Sequence, residues 1–174
     1  MPEDEKLADR RPTDHRRGEV YAAERMVFGL FDGVGSTRSV LLAGTEITLP
    51  VEARFASLDS ISDYVERVRA MPVVADRFER ATVPVRVRAR RSAAAATYES
   101  GGGAGIIAIP VDVAAGRWAL RELVVLHELA HHFDDSGGAA HGRGFRAALV
   151  ELAALVLGPE AGYAYRVIFG DSGL

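Results

Sequence analysis

Four of the chain's five histidines lie between positions 127 and 141, a clustering that ordinary core packing does not call for. In His127-Glu128-Leu129-Ala130-His131, two imidazoles stand at i and i+4, one turn apart on one helix face, so both can reach a single ion. The glutamate beside the first histidine is placed to hold and deprotonate a water at that ion. Leu, Val, Ala and Trp surround these groups between Arg117 and Phe133, so the helix reads as buried. Each polar group left unpartnered there would cost roughly several kcal/mol, and a cation supplies the missing partner. The ligand types suit zinc.

A catalytic zinc takes three protein ligands and leaves the fourth position to water. In a metzincin the third would be a histidine six residues beyond the second, but that position is Gly137, and all three methionines precede the motif. Asp135 follows His131 by four residues, yet on a continuous helix it would stand ~12 Å along the axis from His127. The chain must therefore turn back, and Ser136-Gly137-Gly138-Ala139-Ala140 is the segment that allows it. That delivers His141, with Gly142 permitting close backbone approach and Phe145 one turn later able to pack on the motif helix. Glu151, a downstream helical carboxylate of the kind used in His2Glu sites, is the rival third ligand, followed by Asp134 and Asp135. His132 points about 100° away from His131 and reads as a structural neighbour.

The elements that must position this constellation are legible at coarse grain. Residues 1–17 carry as many basic as acidic groups and little apolar surface, the composition of a disordered charged tail. A single domain is expected over 18–174. An amphipathic helix from Glu19 uses Val20, Ala23, Val27 and Leu30 or Phe31 and stops at Asp32-Gly33. Ser39–Phe55 reads as two strands about Ala43-Gly44-Thr45. Ser57 or Asp59 caps a helix with the stripe Ile61, Val65, Val68 and Met71, ended by Pro72, and a short helix follows near Val74–Ala81. Val83–Ala89 alternates Val and Arg as a half-buried strand does, and further strands flank Gly101-Gly102-Gly103. Two helices follow the motif. The fold class is α+β: a small, twisted, mainly antiparallel sheet packed on the motif helix, with more helices at both ends.

With no cysteine, the 174-residue chain has no disulfide framework, thiol nucleophile, Cys-ligated zinc or iron–sulfur cluster. A formal charge of -3 gives no general attraction to nucleic acid or membrane, although all basic residues but Lys6 are arginine. The start lacks an apolar signal region and no stretch approaches the ~20 apolar residues of a membrane span, so a cytoplasmic, non-membrane protein is expected.

His127-Glu128-Leu129-Ala130-His131 followed by His141-Gly142-Arg143-Gly144-Phe145 resembles the HExxH and HGxxF signatures of SprT-like zinc metalloproteases. Trp118 to Phe145, with the Val85 to Arg91 strand, also resembles a small uncharacterised family of HExxH metallohydrolases. Both resemblances imply a zincin-type site: Zn2+ on His127, His131 and His141, with Glu128 as general base. SprT-like proteases can act on proteins attached to DNA, and Arg86, Arg88, Arg90 and Arg91 offer a nucleic-acid contact, although a solvated sheet face is the favoured reading.

The expected activity is zinc-dependent hydrolysis of a peptide bond in a protein or peptide substrate. A donor for the developing oxyanion is needed, and Tyr98, Tyr163, Tyr165 and Arg143 are the candidates. Gly105–Pro110 is the strand expected to hold substrate along an open sheet edge. The alternative is a zinc-bearing regulatory or nucleic-acid-associated protein with narrow or no proteolytic activity. Oligomeric state is not legible.

Overall fold

A computed structural model describes residues 12–91, 95–111 and 118–174. Residues 1–11 of the expected tail, and Arg117 at the expected start of the motif helix, lie outside the described residues. The fold is α+β. Helix α1 (Arg17–Gly33) is followed by a hairpin of β1 (Ser39–Leu42) and β2 (Thr45–Thr48), then by α2 (Leu58–Ala70), α3 (Pro72–Arg77) and a 3-10 turn over Glu79–Thr82. Next come β3 (Val85–Arg90), β4 (Thr97–Gly101), β5 (Ala104–Pro110), the motif helix α4 (Glu122–Phe133), α5 (Arg143–Leu157) and α6 (Pro159–Asp171).

The main sheet has three strands in the order β3-β5-β4. It is mixed: β4 pairs antiparallel with β5, whereas β3 runs parallel to β5. This corrects the mainly antiparallel sheet expected from sequence. Gly102 and Gly103, at φ 60° and 78°, make a two-residue turn that forces β4 and β5 antiparallel. β5 is the most apolar strand and takes the centre, which leaves arginine-rich β3 outside it, in the same direction. Substrate pairing along Gly105–Pro110 is corrected by the same fact, because β5 is bonded on both sides and β4 is the outer strand beside the motif helix.

All twelve residues of α4 are buried, so its placement fixes the site. Its first turn is clamped from two sides. Glu52 accepts from the Leu123 N–H at 3.1 Å and from Arg121 through both oxygens, at 2.8 and 2.6 Å, so a carboxylate sits where the helix dipole is positive. Arg121 also reaches Asp32 at the end of α1 and stacks on Phe28, 4.5 Å from its ring centroid. Glu122 accepts from the Ala53 N–H at 2.7 Å and from the Tyr64 hydroxyl at 2.6 Å. At the far end His132 and Arg80 exchange bonds: Arg80 Nε donates to the His132 carbonyl at 2.6 Å, and His132 Nε2 donates to the Arg80 carbonyl at 2.9 Å. Gly105 of β5 runs so close that a Cβ there would stand 2.7 Å from His132 Nδ1.

The expected helices are present, with shifted ends. Ser57, not Asp59, caps α2, exchanging bonds with Ser60. Pro72 opens α3 because a proline at the first position lacks only an N–H that has no helical acceptor. Among the described residues no helix is long and apolar enough to cross a membrane.

Candidate metal centre

His127 and His131 project from α4 onto one side, as their spacing requires, and His141 arrives from the loop just before α5. Their Nε2 atoms converge: His127 lies 3.1 Å from His131 and 3.4 Å from His141, and the three ligand atoms all fall within 4.8 Å of one another. Tetrahedral nitrogen ligands at the usual zinc distance stand about 3.3 Å apart, so the observed spacing fits. Phe145, one turn into α5, lies under all three rings, stacked on His131 at 4.2 Å and edge-on to His127 and His141 at 4.8 and 4.9 Å.

Two carboxylates set the tautomers of two of these rings. Glu24 of α1, 2% exposed, places both oxygens 2.8 Å from His127 Nδ1. Asp14 places one oxygen 2.6 Å from His141 Nδ1. An ionised carboxylate only accepts, so each Nδ1 carries the proton, and in the neutral imidazole Nε2 keeps its lone pair. With both rings neutral, the His127 and His141 lone pairs face each other at 3.4 Å, an arrangement that a cation would hold. Such carboxylate–histidine pairs are the usual support of metal-bound imidazoles. Burial opposes a charged His127, but Glu24's charge and hydrogen bond outweigh it and raise its pKa. Burial lowers that of His141 against the bond it donates to Asp14.

Glu128 borders two cavities beside the histidines. One, of about 400 Å³, is polar and is lined by Asp14, Arg17, Thr97, Ser100, His131 and His141 among others. The other, about 290 Å³, is walled mainly by apolar groups including Phe28, Val124 and Trp118. Tyr21 and Ala96 line both. Burial pushes the Glu128 carboxyl up to about 7, with His127 pulling the other way. Tyr21 lies against the ligands, its ring stacked on His127 at 5.4 Å and 21° and tilted 5.2 Å from His141.

Of the four expected donors, Tyr98 alone lines the cleft, and its hydroxyl is engaged. Burial pulls His132 down to about 4, so the ring is neutral; because Nε2 donates to Arg80, Nδ1 accepts from the Tyr98 hydroxyl at 3.1 Å. Tyr163 bonds Thr45, Tyr165 is fully buried in the core, and Arg143 lines a separate groove of about 750 Å³ between α5 and α6. The rival ligands also lie elsewhere: Glu151 pairs with Arg77 of α3, and Asp134 folds back on the Ser136 N–H. In the arginine strand, Arg88 pairs with Glu99 at 2.7 Å, and Arg90 donates to the Ala95 carbonyl at 2.8 Å.

Sequence reasoning missed Asp14, Arg17, Tyr21 and Glu24. The boundary after residue 17 runs through this group, for Asp14 is placed in the site while Arg16 ties its segment to the Gly173 carbonyl at 2.9 Å. Glu24 carried a readable signal: a carboxylate inside the buried stripe Val20, Ala23, Val27 and Phe31 must have a partner. Comparisons with protein-family models, curated proteins and solved structures return no match.

Proposed function

We propose that the chain is a zinc-dependent metallohydrolase of zincin type, akin to the SprT-like proteases, cleaving a peptide bond. The observation that carries this reading is the convergence of three Nε2 atoms, two of them backed by buried or half-buried carboxylates, beside a buried glutamate that opens on a cleft. His127, His131 and His141 would hold the ion, and Glu24 and Asp14 would orient the first and the last of these rings. A bound zinc supplies Lewis acidity, acidifying water and polarising a carbonyl. Glu128 takes the proton of the attacking water at its carboxylate and returns it to the leaving nitrogen, so one C–O bond forms as the C–N bond breaks. The outer strand β4 offers substrate a sheet edge beside α4.

The test is metal content of purified, desalted protein by mass spectrometry. Wild type is expected to hold about one zinc per chain and His141→Ala far less. Undiminished zinc in the variant would remove His141 from the site. No zinc in reloaded wild type would end the metallohydrolase reading. With metal confirmed, Glu128→Gln should retain zinc and lose peptide hydrolysis.

A further inference from the structure

Building on the metallohydrolase reading, we infer that Tyr21, oriented by Arg17, is the hydrogen-bond donor that engages the substrate's carbonyl oxygen. A group in this role must stand beside the metal ligands, border the space substrate occupies and keep an uncommitted proton. Tyr21 meets all three conditions. Its ring is stacked on His127 and lies against His141. It lines both of the cavities that Glu128 borders, so substrate in either one lies beside it.

The third condition follows from donor chemistry. Arg17, one turn earlier on α1, holds its guanidinium over the Tyr21 ring, 5.6 Å from its centroid. A guanidinium only donates. It takes no proton from the phenol, and among the described residues no other acceptor does, Tyr21 being held through its ring by His127, His141 and Arg17. Tyr98, on the opposite wall, is the counter-example, because its proton goes to His132. Arg17 further places a positive charge behind the phenol, which strengthens it as a donor to an oxygen gaining negative charge.

The experiment uses cobalt as a spectroscopic replacement for zinc and acetohydroxamate as the probe, a small ligand that brings oxygens to the metal without any side chain. Wild type, Tyr21→Phe and Tyr98→Phe are loaded with cobalt, and the visible bands are followed as acetohydroxamate is added. Tyr21→Phe keeps the ring on His127, so cobalt affinity should stay within about twofold, while acetohydroxamate binding weakens roughly tenfold or more. Tyr98→Phe should leave that binding unchanged, and Arg17→Met should weaken it in the same direction as Tyr21→Phe. Equal acetohydroxamate affinity in wild type and Tyr21→Phe overturns the assignment of Tyr21 and leaves the metal site standing. Failure of cobalt-loaded wild type to bind the probe also overturns it. Failure of wild type to bind cobalt overturns the metallohydrolase reading and this inference together.

Discussion

Helices α4 and α1 contribute comparably to the centre, yet they encode their contributions differently. The chemistry proposed for α4 is local: the two motif histidines and the proposed base fall within five consecutive residues, and helix geometry alone brings them together. That of α1 and the segment before it is distributed. Asp14 bonds a histidine 127 residues away and Glu24 one 103 residues away. Asp14 on its own reads as a solvated surface group, and the stripe around Glu24 demands a partner without naming it. The difference teaches that a metal site's ligands can be written as a motif while the groups that orient them are written in tertiary structure.

The largest effect that would break this comparison is expected within α4. His131→Ala removes a ligand outright, and stoichiometric zinc should be lost at metal concentrations that saturate wild type, as read by mass spectrometry after desalting. Thermal stability follows. Zinc at a hundred times its dissociation constant stabilises the fold by about 2.7 kcal/mol. Scanning calorimetry should then show wild type melting roughly 5–10 °C higher with zinc than after chelation, with no such difference in His131→Ala. A variant that still responds to zinc would mean that the motif histidines are not its ligands.

A smaller effect is expected from α1. Glu24→Gln keeps shape and removes charge, so zinc affinity should fall about 10–100-fold by competition titration with a chromophoric chelator. Glu128→Gln, whose carboxylate opens on the cleft, should change that affinity far less. If the two variants weaken zinc equally, Glu128 belongs to the support of the metal and the separation of roles between the helices fails.

Legibility followed the same division. Val20, Ala23, Val27 and Phe31 show α1 by their period, and Ile61, Val65 and Val68 show α2, because burial of a single face leaves a trace in the sequence. The approach of His141 to the motif histidines was legible from chain reach, since Ser136–Ala140 could turn back, whereas Glu151 sits eight residues into α5 from its start at Arg143. Strand order was not legible. Whether β5 lies inside or outside β4 depends on which strand best tolerates burial on both sides, and that competition has no local signature. Arg17 and Tyr21 escaped for another reason: at an end of a helix rich in charge both read as surface, and while Arg17 stays exposed, Tyr21 is half-buried where His141 comes against its ring.

The smallest expected effect separates the two tyrosines that face the cleft. Tyr98→Phe deletes a hydroxyl that donates inward, leaving His132 Nδ1 a buried acceptor without its donor and Arg80 without an acceptor at 3.3 Å. The cost falls on stability, about 1–3 kcal/mol, and should appear as a lower denaturation midpoint in urea at unchanged slope. Zinc affinity should remain within about twofold, because His132 points away from the ligand cluster and the Tyr98 ring stays in place. Tyr21→Phe should likewise leave zinc affinity within about twofold but change the midpoint little, because its hydroxyl proton has no partner to lose within the described protein. A destabilised Tyr21→Phe together with an unaffected Tyr98→Phe would invert the assignment of the two walls, making the tyrosine on α1 the structural one and the tyrosine on β4 the one free to meet substrate.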